Sequence, residues 1–303
     1  MDLPSGVTVF ERGWLSANNI LMTGSGPASL VDSGYCTHAE QTVSMVKRAL
    51  AGRPLQNLIN THLHSDHCGG NAALQAEFSS LQTWIPPGQA DQVRRWDPVA
   101  LTYVPTGQNC PRFGITHILM PGREVVLGEQ TWQVHAAPGH DPHSVILFEP
   151  QSRTLISADA LWESGFGVVF PELEGDDAFA EVGATLDLIE QLGPAIIVPG
   201  HGRVFCGVAA ALAVARRRLN GFVASPPKHA LHAAKVLLKF KLLELQRLRL
   251  ADFAQWAQVT PYFGLVHQRW FAKMPVEQWV EQLAADLERS GAARREGDWI
   301  VNT

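Results

Sequence analysis
The sequence of 303 residues has no long apolar run. Its longest, Phe205 to Ala215, is eleven residues and stops at Arg216-Arg217-Arg218. That is about half of the ~20 residues that span a bilayer core, which excludes a membrane helix. The first residues, MDLPSGVTVFERG, lack a basic segment followed by an apolar one, so no signal peptide is expected. Cysteine is scarce too: Cys36, Cys68, Cys110 and Cys206 stand far apart, with no CxxC pair. A chain of this length needs no disulfide framework, and free thiols in the reducing cytoplasm are the expectation. Charge is sparse at 17%, with a net value of −5 that announces no polyanionic partner. What is present is a 46% hydrophobic composition, which excludes disorder and suffices for one large core or two unequal domains.

Hydrophobic patterning predicts short strands at Val7–Arg12, Asn19–Thr23 and Ser29–Asp32, then a helix over His38–Leu50 with Ala39, Val43, Val46 and Leu50 on one face. Further strands are expected at Leu58–Asn60, Thr131–Ala137, Ser144–Glu149, Thr154–Ala158 and Ala195–Val198, with a helix at Asp177–Leu192. Strands interleaved with helices give an α/β class with covered sheets. Ser225-Pro226-Pro227 is the expected boundary between a domain of residues 1–225 and one of 226–303, the prolines stopping one helix and stiffening the connection. Charge changes sign there, from 13 Lys/Arg against 21 Asp/Glu to 11 against 8. Beyond it the pattern predicts helices over His229–Leu250, Asp252–Gln258 and Val276–Glu288, then a strand at Asp298–Val301, a small winged-helix-like module.

The chemistry is concentrated in Thr61-His62-Leu63-His64-Ser65-Asp66-His67-Cys68-Gly69-Gly70. An extended backbone puts His62 and His64 on one side, where they can share an ion, and a turn carries Asp66 and His67 to a neighbouring position. Imidazole with carboxylate suits zinc, and iron and manganese accept the same donors. His140 in Pro138-Gly139-His140, Asp159 in Ala158-Asp159-Ala160 and His201 in Pro199-Gly200-His201 each follow an apolar run and lie in small-residue turns, so they are the further ligand candidates.

This ordered set, HxHxDH followed by a lone His, a lone Asp and a His in a PGH turn, resembles the metallo-β-lactamase-fold superfamily over residues 1 to about 222. The resemblance implies an αββα four-layer sandwich. It implies one metal held by His62, His64 and His140, a second by Asp66, His67 and His201, and Asp159 bridging them. The cofactors would be two divalent cations, zinc first, with iron or manganese as substitutes. Their bridging hydroxide would attack a carbonyl or phosphoryl group, with Asp66 orienting it and carrying the proton. Asp32, in Leu30-Val31-Asp32-Ser33-Gly34, resembles a family turn motif and is read as an acceptor behind the ligands. Cys68 is a bystander, and His229, His232 and His267 are read as surface residues.

Asp159 separates the chain from zinc β-lactamases, and His64, where flavodiiron oxygen reductases carry an acidic residue, separates it from those proteins, with no flavodoxin domain expected to follow. The metal loop and the segment Asp159–Gly167 are similar to glyoxalase II-like thioesterases, whose glutathione-binding terminus has no match in this tail. Lactonases of the fold share the ligands, and some place a Tyr where Trp162 stands. The expected activity is hydrolysis of an ester or thioester of a small acyl substrate, with endoribonuclease or phosphodiesterase and lactonase activities as alternatives. A mononuclear iron persulfide dioxygenase is the alternative from another class. Trp256, Tyr262, Phe263, Trp270 and Phe271 are expected to wall the substrate pocket. The mildly basic tail leaves nucleic acid as a second partner, and the Leu stripe of Val236–Leu250 serves core packing or a homodimer interface. No membrane contact is expected.

Overall fold
The computed structural model describes residues 2–303. Two sheets lie face to face. The first holds β1 (Val7–Phe10), β2 (Asn19–Met22), β3 (Ser29–Val31), β4 (Asn57–Ile59), β5 (Gln82–Ile85) and β6 (His117–Ile118) in sequential order. Pairing is antiparallel from β1 to β3 and parallel from β3 to β6. The second sheet holds β7 (Glu124–Leu127), β8 (Gln130–Ala136), β9 (Val145–Glu149), β10 (Thr154–Ala158) and β11 (Ile196–Pro199) in the order β11-β10-β9-β8-β7, with β10 and β11 parallel.

Alternation along each strand explains the layers. Ile20, Val31 and Ile59 of the first sheet meet Trp132, Leu147, Ile156 and Val198 of the second in one inner core. The intervening residues point outward. Leu21, Leu30 and Leu58 pack on α1 (Ala39–Leu50), and further along the chain come α2 (Ser65–Cys68) and α3 (Asn71–Glu77), whose Leu74 joins the same cluster. Strands buried on both faces must read as continuous apolar runs, as VILFE and IIVP do. The segment between the sheets carries α4 (Ala90–Arg95) and α5 (Tyr103–Thr106). After β10 come α6 (Phe170–Glu174), α7 (Ala178–Leu192) and α8 (Val208–Val223), and α7 and α8 cover Ile146, Phe148, Leu155 and Ile197 on the outer face of the second sheet. The result is the αββα sandwich.

Residues 226–303 form α9 (Pro226–Leu245), α10 (Leu250–Val259), α11 (Pro261–Val266) and α12 (Val276–Arg289), with a three-stranded antiparallel sheet ordered β12 (Arg247–Arg249), β14 (Trp299–Asn302), β13 (Ala293–Glu296). Leu238, Phe253, Phe263, Val280 and Leu283 fill its core, which continues into Val168 and Leu173 of the sandwich. Two expectations are corrected here. Pro226 and Pro227 open α9 behind Ser225 rather than forming a connector, because the first helical positions need no backbone N–H donors. The long helix ends at Leu245, where Gln246 turns with φ +64°, and Arg247-Leu248-Arg249 becomes a strand. Both arginines lie over the Trp299 ring, at 4.3 and 5.3 Å, a cross-strand contact that a helical reading of an Arg/Leu-rich segment misses. Among the described residues no helix is long and apolar enough to cross a membrane.

Candidate metal centre
Strand ends bring the seven singled-out residues together at one edge of the sandwich. His62 and His64 follow β4, and Asp66 and His67 sit on the single turn α2. His140 lies between β8 and β9, while Asp159 and His201 follow β10 and β11. The parallel register of β10 and β11 sets Ala158 beside Pro199, and the Gly200 N–H donates to the Ala158 carbonyl at 2.7 Å. Gly200 is required there, since a Cβ would fall on Asp159 Oδ1. Gly70 is required for a similar reason: a Cβ would press into the Ser33 backbone, against which the metal loop packs.

The ligand atoms form two groups, His62 with His64 and His140, and Asp66 with His67, Asp159 and His201, each within 4.8 Å. In the first, His64 Nδ1 lies 3.1 Å from His62 Nε2 and 2.8 Å from His140 Nε2. His140 Nδ1 donates to the Val168 carbonyl, which leaves Nε2 as its lone-pair nitrogen. In the second, His201 Nε2 is 3.0 Å from Asp66 Oδ2. Asp159 reaches both groups, with Oδ1 3.4 Å from His67 Nε2 and Oδ2 3.4 Å from His140 Nε2.

Asp32 stands behind His67. Its Oδ2 accepts from His67 Nδ1 at 2.8 Å and from the Thr61 hydroxyl at 2.8 Å, while Oδ1 accepts from the Thr61 N–H at 2.9 Å. This fixes the His67 tautomer and aims Nε2 at Asp66 and Asp159. His67 Nε2 is buried without a hydrogen-bond partner, and in the other group three imidazole nitrogens converge on one another. Facing lone pairs and an orphaned buried nitrogen suit a cation, and the nitrogen and carboxylate donors are those of a divalent transition metal.

Burial, with the neighbouring imidazoles, holds His62 well below the ordinary histidine value and lowers His64 to about 4. His67 moves the other way: burial opposes its charge, but Asp32, Asp159 and Asp66 raise it well above the ordinary value. Asp159 and Asp66 are likewise desolvated, yet the facing histidines keep both below the ordinary carboxylate value. His62 and His64 are therefore neutral donors and Asp66 and Asp159 ionised ones, while His67 is held as the charged imidazolium and would release its Nε2 proton on binding a cation.

His64, Asp66, His140, Asp159 and His201 floor a cavity of about 470 Å³ that runs to α9 and α12. The expected aromatic wall is corrected: Tyr262 and Phe263 are buried in the tail core and Trp256, Trp270 and Phe271 pack around it, while the wall is Phe240, Leu237 and Leu243 of α9 with Phe170. Trp162 does more than supply an apolar face, because its indole N–H donates to Asp159 Oδ1 at 3.2 Å. His229 and His232 are also corrected. His229 is 1% exposed and accepts the Val169 N–H at 3.2 Å, and His232 accepts from Arg218 at 2.6 Å inside the cavity. Cys68 is buried against Tyr103 and Cys110, away from the ligand atoms. Sequence reasoning missed Trp14, whose ring stacks on His201 at 5.3 Å, and Asn18, whose amide ties down the Pro199 and Gly202 carbonyls. Only the Asn18-Asn19 pair beside a strand start hinted at such a role.

A family model described as the Metallo-beta-lactamase superfamily matches residues 12–201. The chain is 28% identical over 182 residues to a hydroxyacylglutathione hydrolase of Thermosynechococcus vestitus, covering 60% of this chain and 58% of that one. It is 27% identical over 201 residues to a protein of the same name from Brucella anthropi, covering 66% and 62%. It thus spans about three-fifths of the length of these curated relatives. A metallo-beta-lactamase family protein from Thermus thermophilus has the same fold, with a TM-score of 0.57 at 17% identity over 99% of each chain.

Proposed function
The chain belongs to the metallo-beta-lactamase superfamily, and from that premise we propose that it is a dinuclear metal-dependent hydrolase of an ester or thioester of a small acyl substrate. The observation that carries this is the position of Asp159, whose two oxygens lie 3.4 Å from a nitrogen of each ligand group. His62, His64 and His140 would hold one cation, Asp66, His67 and His201 the other, and Asp159 both. Held there, such cations would supply water activated at neutral pH and polarisation of the scissile carbonyl.

The protein's own groups then divide the work. Asp66 and Asp159 both line the cavity, and Asp66, the more exposed of the two at 13% against 6%, takes the proton-handling role. It is held ionised by His67 and His201, so Oδ2 can orient a water, accept its proton and return it to the leaving group. Asp32 keeps His67 in one tautomer, and the Trp162 N–H orients Asp159. Trp14, Phe170 and the α9 wall exclude bulk water and favour an apolar acyl chain. The relatives named hydroxyacylglutathione hydrolase support hydrolysis at an acyl carbonyl.

The test is turnover of a panel of acyl thioesters and lactones by zinc-, manganese- and iron-loaded protein. Asp66→Ala is expected to keep its circular dichroism spectrum and lose about 10²- to 10⁴-fold in rate. Wild-type turnover in that variant, or no ester or thioester hydrolysis with any metal, would overturn the reading. Oxygen uptake with a persulfide by the iron form would replace it with dioxygenation.

A further inference from the structure
The cavity above the metal centre does not end in apolar side chains. Arg218 of α8 and His232 and Lys235 of α9 line it together, beyond the Phe170 and Leu237 wall. Residues 232 and 235 are one turn apart on α9 and therefore neighbours on its surface. The Arg218 partners among the described residues are the Ser164 carbonyl, the His232 ring nitrogen and the faces of Phe166 and Phe222. None is an anion. A guanidinium half withdrawn from water without a carboxylate is an unbalanced charge, and burial lowers its proton affinity.

The neighbouring charges do not cancel it. Lys235 has one carboxylate near, Asp286, which lines the same cavity 3.6 Å away and which Arg289 also engages, so the outer cavity carries these two cations against one carboxylate already paired outside it. Lys239, on the same side of α9, is committed to the Ala292 carbonyl and Asn302 Oδ1. His232 is held neutral: burial, then Arg218, drops it to about 3, so it accepts from Arg218 and adds no charge. The outer cavity thus presents two cationic side chains with spare donors, and Asp286 keeps Arg289 if Lys235 turns to a ligand.

We propose that Arg218 and Lys235 form an anion subsite that binds a carboxylate or phosphate on the substrate at a distance from its scissile carbonyl. Planar, forked Arg donors match either group, and a charge-assisted bond in a partly dry cavity outweighs its solvated counterpart. The substrate class narrows to an acyl ester or thioester carrying an anionic terminus, with an apolar stretch against Leu237 and Phe240 between. This rests on the hydrolase reading for the position of the carbonyl. The cation cluster itself does not.

Calorimetric titration of metal-loaded protein with three non-hydrolysable thioethers of equal length, ending in carboxylate, phosphate or carboxamide, tests it. At least one anionic probe is expected to bind about tenfold or more tightly than the carboxamide, and the stronger of the two identifies the group. Arg218→Gln should reduce that preference below about threefold. Because Arg218 also packs on two phenyl rings, Lys235→Gln on the helix surface is the second variant, and it should at least halve the preference. Asp66→Ala should leave the preference intact, since a preference arising at the metal centre would fall there instead. Equal binding of all three probes, or a preference that survives both cation variants, would overturn the subsite. Failure of the hydrolase reading would appear separately, as anionic binding without turnover of the matching thioesters.

Discussion
At the scale of single residues, the proposed centre rests on groups that position the candidate ligands as much as on those ligands. Asp32 adopts φ +57° and accepts three hydrogen bonds from Thr61 and His67. Asparagine tolerates that backbone region, so Asp32→Asn should fold while losing the charge behind His67. Metal affinity is expected to fall about 10- to 100-fold, read by competition with a chromophoric chelator. Undiminished affinity would show that His67 needs no orientation. The ligand candidates were legible because chemistry fixes their types and their offsets in HxHxDH. Arg218 was not legible: it lies fourteen positions from His232 across a helix break, and only the crossing of α8 and α9 joins them.

At the scale of elements, α9 ties the tail to the sandwich through His229, which accepts the Val169 N–H and packs on Phe179 and Phe222. Burial, reinforced by Arg218, lowers it to about 4 in the folded chain. Protonation therefore favours the unfolded state, so the stability it contributes is complete above about pH 6.5 and is lost as pH falls toward 4. The loss is on the order of 3 kcal/mol. His229→Gln keeps an acceptor without titrating, and denaturant unfolding across that pH range should show a flatter profile. An unchanged slope would place the pH dependence elsewhere. Leu238 is wholly buried in the tail core, and Leu238→Ala should cost about 2–5 kcal/mol in the same assay. Strands and helices with clear apolar periods, such as β9 and α7, were readable at this scale. β12 was not, because its pairing with Trp299 comes from about fifty residues away.

At the scale of the whole molecule, the sandwich and the tail close one cavity over one edge of two sheets. Layering was legible from the alternation of strands and helices, and the tail's helical character from its composition. Which tail residues face the cavity depended on how α9 rotates against Val168 and Leu173, which no periodicity specifies. Removing metal should loosen the molecule at that edge, since Asp66, Asp159 and the five imidazoles would lose the cations they hold. Restoring metal at a hundredfold excess over its dissociation constant should return about 2.7 kcal/mol, measured as a rise in unfolding temperature. The most direct measurement is metal stoichiometry by elemental analysis of untagged protein, beside His201→Ala. Two divalent ions per chain, falling to one in the variant, are expected from two donor groups joined by Asp159. One ion per chain in both proteins would contradict a dinuclear centre.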